Sequence, residues 1–186
     1  MSDFTFVTSN EHKALTARII CDRYDVKFDS EDLDIVEIQD DDGEVIAADK
    51  ARQAFKACSS PVVVNDTTWI IPGLNGWPGP YMKQMNTWLT PEDFVRLTAN
   101  LEDRRIIQRS ILAYKDADQE KIFSVDMEGI LLKEPRGASR YTNFTVTSFN
   151  NGKTSFAEDS ADGYTDYTKR QSAWDELCQW LQKSKA

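Results

Sequence analysis

The stretch VVVNDTTWII, residues 62–71, constrains the fold more than any other part of the chain. Three consecutive valines predict a buried strand. The apolar run then stops at Asn65 and Asp66, passes two threonines and resumes at Trp69. Aspartate is depleted in strands, and a charge inside a sheet is costly unless it is paired or binds a cation. The residues predict two strand segments that meet at a polar turn. On local grounds Asp66 is either a turn former, with Asn-Asp-Thr-Thr bonding its own backbone, or a cation ligand at a strand end.

The flanking patterns supply the context. Residues 4–8 alternate and are rich in β-branched and aromatic side chains, which predicts a strand. Ser9 and Asn10 offer a cap for a helix over 13–23, with Ala14, Leu15, Ile19 and Ile20 inward. A second strand is expected over 33–38, and a helix over 44–58 with Ile46, Ala47, Ala54 and Phe55 on one face. PGLNGWPGPY, residues 72–81, reads as a loop with fixed turns. Helices are expected over 81–89 and from Pro91. Residues 105–114 and 121–133 predict a hairpin turning at KDADQE, 141–149 a further strand, and 169–181 a final helix burying Ala173, Trp174, Leu177 and Leu181. This order predicts an α/β fold: an elongated mixed sheet with flanking helices, its middle strands and helices forming a second lobe across a ligand cleft. The 186 residues are read as one domain, 1–186, whose lobes are not independent.

Charge and composition remove several function classes. The net charge is −9 and no basic stripe is visible, which argues against a polynucleotide partner but not against a nucleotide held through a metal ion and a few lysines. His12 is the only histidine, so multi-histidine metal sites are excluded and a serine–histidine–acid triad would have to use it. Cys21, Cys58 and Cys178 are far apart with no CxxC pair, and read as free thiols in a reducing compartment. No basic-then-apolar leader and no apolar run near ~20 residues is present, so no membrane association and a cytoplasmic location are expected.

Two places besides Asp66 carry candidate chemistry. In TSNEHK, Thr8–Asn10 fall between a strand end and a helix start, where N–H groups and the helix dipole attract anions. Thr8, Asn10 and Lys13 are each able to donate to a phosphate, although an ordinary capped turn looks the same. Glu44 and Lys50 lie on the second predicted helix. Locally, Glu44 is explained by the helix dipole and Lys50 as a solvated lysine.

Together, FVTSNEHK, EVIAADKARQA, VVVNDTTWII and LNGWPGPYMK resemble, in order and spacing, the motifs of the inosine triphosphate pyrophosphatase family over residues 4–89. EPRG at 134–137 and TKRQSAW at 168–174 extend the likeness. The resemblance implies a homodimeric α/β enzyme with the nucleotide between two lobes, using Mg²⁺, or Mn²⁺ in its place, to cleave a nucleoside triphosphate into monophosphate and pyrophosphate. Carried over by position, Thr8, Ser9, Asn10 and Lys13 hold the triphosphate and Lys50 contacts phosphate. Glu44 and Asp66 bind the metal or position the attacking water, and Asp66 and Lys13 serve catalysis. Tyr141, Lys169 and Arg170 fall where the base is read.

The departures concentrate on that last group. Ser9 replaces a glycine, and Asn65 replaces the first acid of an acidic pair. YTNFT, residues 141–145, stands where F-G-W-D-P is expected, and Thr168-Lys169-Arg170 where S-H-R is expected. The phosphate half is kept and the base-reading half rewritten, which implies a changed base preference. The alternative is a catalytically weak relative that binds a nucleotide or a protein.

Overall fold

The computed structural model describes residues 2–159 and 172–185. Among the described residues, β1 (Phe4–Val7), β2 (Phe28–Glu31), β3 (Val62–Ile70), β5 (Arg105–Lys115), β6 (Glu120–Leu131) and β7 (Thr147–Ser148) form a mixed sheet in the order β2-β1-β3-β5-β6-β7, with β4 (Pro78–Gly79) paired to β3 and helices flanking it. The described residues fall into two compact units, one of 2–66, 110–125 and 172–185, the other of 67–109 and 126–159.

In the first unit β1 (Phe4–Val7) pairs in parallel with β2 (Phe28–Glu31) on one side and with β3 (Val62–Ile70) on the other. The three valines explain themselves here. Val63 joins a cluster with Phe4, Phe6, Ile20, Phe28, Trp174 and Leu177, which packs α1 (Glu11–Asp22) and α7 (Ala173–Lys185) on one face. Val62 and Val64 point the other way, into Ala47, Ala51 and Ala54 of α2 (Gly43–Cys58). A strand buried on both faces needs apolar residues at consecutive positions rather than alternate ones. The three alanines are fully buried, so α2 meets the sheet through its smallest side chains.

Two expectations fail in this unit. The second strand is Phe28–Glu31, not 33–38. Its register against β1, Phe4 opposite Phe28 through Val7 opposite Glu31, fills that flank of β1. Residues 32–42 then run without strand pairing, although Leu33 and Ile35 still pack on the α2 side. Nor does VVVNDTTWII break into two segments: β3 is one strand of nine residues with Asn65 and Asp66 inside it.

The second unit holds β4 (Pro78–Gly79), α3 (Met82–Trp88), α4 (Pro91–Thr98), α6 (Phe156–Asp159) and the rest of β5 (Arg105–Lys115) and β6 (Glu120–Leu131). α4 starts on a reciprocal cap: Thr90 Oγ1 accepts from Asp93 N while the Asp93 carboxylate accepts from Thr90 N. Trp69, Ile71, Met85, Phe94, Leu131 and Phe156 lie in its core. Here residues 141–149 depart from the expected strand. Thr142–Val146 form a short helix, α5, and only Thr147–Ser148 pair, as β7, with β6. Threonines and aromatics favour strands because they fit a pleated surface. In α5 the Thr142 hydroxyl instead donates to Leu89 O at 2.8 Å, and the Thr145 hydroxyl to Thr142 O at 2.8 Å. No described helix is long and apolar enough to cross a membrane.

Candidate active site

The first unit brings the phosphate-type and carboxylate candidates together. β1 ends at Val7 and α1 begins at Glu11, so Thr8–Asn10 form the joint. Asn10 caps the helix: its Oδ1 accepts from His12 N at 3.0 Å and Lys13 N at 3.2 Å. Thr8 Oγ1 accepts from Asn10 N at 3.1 Å and fixes the bend. With Oδ1 used by the cap, Nδ2 is the donor Asn10 has for a phosphate. The helix start adds the partial positive charge of its dipole.

Lys13, in the first turn of α1, reaches β3, where its Nζ donates to Asn65 O at 3.1 Å. Burial lowers the Lys13 pKa; the Asp66 charge opposes this, Lys50 adds to it and Glu37 again opposes it. On α2, Lys50 Nζ lies 2.7 Å from Glu37 Oε1 and 3.8 Å from Asp66 Oδ2. The Lys50 side chain is only 17% exposed, so this is not a solvated surface lysine. Two ammonium groups and two carboxylates thus sit within electrostatic reach of one another.

Glu37 is the member that sequence reasoning missed. It lies in the unpaired segment between β2 and α2, where Gln53 Nε2 of α2 donates to Val36 O at 2.8 Å and holds the chain. The sequence does carry a signal for it: Glu37 interrupts the apolar residues of LDIVEI much as Asp66 interrupts VVVNDTTWII. Glu44 sits in the first turn of α2 as expected, but its Oε1 accepts from Ser124 Oγ of β6 at 2.8 Å, and the carboxylate on Lys50 is Glu37.

Asn65 has a definite place. Its Nδ2 donates to Ile111 O of β5 at 3.1 Å and, more weakly, to Asp66 O at 3.4 Å. A carboxylate at this position has no proton to donate there. Tyr141 belongs to the second unit, where its ring lies 4.9 Å from that of Phe144 and beneath the Arg140 guanidinium at 4.7 Å. Lys169 and Arg170 lie outside the described residues.

The donor set also fits a particular kind of cation. Among the described residues no three histidine, cysteine, aspartate or glutamate side chains gather as a metal cage. Glu37 and Asp66 offer two hard oxygen donors that already share one cation, the Lys50 ammonium. Magnesium commonly takes one or two carboxylates and completes its shell with water and substrate phosphate, and this pair suits that habit.

Residues 4–180 match the Ham1 family. A dITP/XTP pyrophosphatase of Methanopyrus kandleri is 28% identical over 182 residues, covering 97% of each chain. An inosine triphosphate pyrophosphatase of Schizosaccharomyces pombe is 28% identical over 162 residues, covering 85% of this chain and 84% of that one. A HAM1 protein from Coxiella burnetii shares the fold with a TM-score of 0.79 at 20% identity, over 98% of this chain and all of the other.

Proposed function

The chain belongs to the Ham1 family, and from that premise we propose that it hydrolyses a nucleoside triphosphate to the monophosphate and pyrophosphate. The observation that carries this reading is the cluster of Lys13, Lys50, Glu37 and Asp66 in the unit that also holds the α1 N-terminus. Phosphate recognition and water activation are the two tasks of the reaction, and the cluster offers groups for both.

Thr8, Ser9, Asn10 and the start of α1 hold phosphate oxygens through hydroxyl, amide and main-chain donors. Lys13 and Lys50 bring positive charge to the triphosphate. Glu37 and Asp66 are the ligands we assign to a divalent cation, Mg²⁺ or Mn²⁺; when bound, it neutralises charge on the phosphate oxygens. Asp66 has a second task. Its carboxylate accepts a hydrogen bond from the attacking water and aims it at the α-phosphorus, so that the bond to the β-phosphate breaks and pyrophosphate leaves. Asn65 serves by position, through its bond to β5.

The two curated relatives above are named for inosine- and xanthine-type triphosphates, which makes purines with an oxygenated ring the first substrates to test. YTNFT at 141–145 motivates a base preference that departs from theirs. We also expect a homodimer. The test is pyrophosphate release with Mg²⁺ and with Mn²⁺ across a panel of ITP, dITP, XTP, the common triphosphates and modified-base triphosphates. Release from at least one member is expected; release of orthophosphate alone, or of nothing across the panel, sinks the reading.

A further inference from the structure

We propose that Lys50 is an internal stand-in cation: it occupies Glu37 and Asp66 until a polyphosphate draws its ammonium away, so that the divalent cation is taken up well only together with the nucleotide. The inference rests on the assignment of Glu37 and Asp66 as the cation's ligands.

The geometry carries it in three steps. First, the carboxylates already share a positive partner. Lys50 Nζ is 2.7 Å from Glu37 Oε1 and 3.8 Å from Asp66 Oδ2. The Lys50 and Asp66 side chains are only 17% and 28% exposed, so leaving either charge without an opposite partner is costly. A second cation arriving by itself must displace the ammonium or sit beside it, and like charges at such separations repel.

Second, position 65 does nothing to offset that repulsion. Position 65 is an amide whose Nδ2 is engaged on Ile111 O at 3.1 Å, so it adds no negative charge. Lys13, with its Nζ 3.1 Å from Asn65 O and its charge felt by Asp66, adds a positive one.

Third, the ammonium has somewhere to go. A lysine ends in a compact charge on a flexible four-carbon stem and swings between partners more readily than a guanidinium fork. A triphosphate brings several anionic oxygens beside the α1 start and Lys13. Lys50 then exchanges carboxylate for phosphate, and the two vacated carboxylates meet the cation that the same phosphates carry. Metal uptake and nucleotide uptake are therefore positively coupled, each raising the affinity for the other by the same factor.

Mn²⁺ binding, read from the electron paramagnetic resonance signal of the free ion, tests this without turnover. Wild type alone should take up Mn²⁺ poorly. Lys50→Met alone should bind it roughly tenfold or more tightly, because the competing charge is gone, and Lys50→Gln should match it if Met disturbs α2. Lys50→Arg keeps a cation and should stay as weak as wild type. Adding Glu37→Gln to Lys50→Met should cancel the gain. Adding an α,β-methylene triphosphate, which is not cleaved, should raise Mn²⁺ uptake by wild type beyond what the analogue binds in buffer.

Neutral variants that bind Mn²⁺ no better than wild type, or an arginine variant that gains as much as the methionine one, overturn the exchange. Pyrophosphate release by wild type is measured alongside. If wild type is active and the neutral variants show no gain, the exchange fails while the functional reading stands. If wild type is inactive and no variant takes up Mn²⁺ even with the analogue, the functional reading fails and takes the exchange with it.

Discussion

Lys13 Nζ donates to the main-chain carbonyl of Asn65 across 3.1 Å, so the first helix grips the strand that carries Asp66. Lys13 also carries a pH dependence, through its burial. Burial lowers the Lys13 pKa below its ordinary 10.5. Between that lowered value and 10.5 the unfolded chain binds more protons than the folded one, and there stability rises with pH. Below the window both states carry the charge, and the folded state bears the full cost of desolvating it. Denaturant unfolding of wild type and Lys13→Met from neutral pH to about pH 11 should therefore show wild type gaining on the variant as pH approaches the ordinary lysine value. Parallel curves would mean that Lys13 is solvated.

The second prediction concerns Asp66. Asp66→Asn preserves shape and removes the charge that faces Lys50 and Lys13. If Asp66 has the roles proposed for it, the substitution should lower pyrophosphate release by about a hundredfold or more, in line with the cost of losing a general base. The circular dichroism spectrum should not change. Turnover near wild type in a folded variant removes Asp66 from the mechanism.

The members of the candidate cluster that could be read from the chain carry local signals. Asp66 is a charge in a strand, and Thr8, Asn10 and Lys13 stand at a strand-to-helix joint that any capped turn would share. Such signals survive without knowledge of the fold. Glu37 breaks the same rule as Asp66, inside LDIVEI, but the pattern of 33–38 predicts a strand and so hides its place beside Lys50. That strand fails for a tertiary reason: Phe28–Glu31 fills the flank of β1. The same holds for 141–149, where threonine hydroxyls bonded to main-chain carbonyls favour α5 over an extended chain. Propensity yields to such partners because it is worth about 1 kcal/mol or less per residue. The role of Asn65 was hidden as well, since its partner, Ile111, is 46 residues away.

A third prediction tests the packing of β6 against β7. A Cβ added at Gly129 would lie 2.6 Å from Ser148 O and 2.8 Å from Phe149 Cδ1. Backbone and a ring must both move to admit it. Gly129→Ala should therefore destabilise the protein by about 1–3 kcal/mol, the usual cost of overpacking. An unchanged denaturation midpoint would show that β7 is looser than the structure draws it.

The fourth prediction concerns the join between α1 and α7. The Tyr24 hydroxyl donates to Asp175 Oδ1 at 2.9 Å, and Asp175 is buried. Asp175 Oδ2 also accepts from Ser172 N at 2.8 Å. Tyr24→Phe leaves a buried carboxylate with one donor fewer, which should cost about 1–3 kcal/mol. The loss should be visible in thermal unfolding while pyrophosphate release at room temperature stays close to wild type, because no group of the cluster is touched.

Glu37 and Glu44 give the sharpest contrast. Both are acids near the start of α2, and from the sequence Glu44 is the candidate metal ligand. In the structure Glu37 Oε1 is 2.7 Å from Lys50 Nζ, whereas Glu44 Oε1 accepts from Ser124 Oγ. Glu37→Gln removes one of the two carboxylates assigned to the cation, while Glu44→Gln keeps an acceptor for the Ser124 hydroxyl and loses only a charge at the helix start. That charge is worth about 0.3–1 kcal/mol to the helix dipole. Pyrophosphate release should therefore fall by roughly a hundredfold in Glu37→Gln, as for a lost metal-orienting group, with the apparent Mg²⁺ requirement rising. Glu44→Gln should stay within a few-fold of wild type. The reverse ranking would return the metal to Glu44 and leave Glu37 as a structural partner of Lys50.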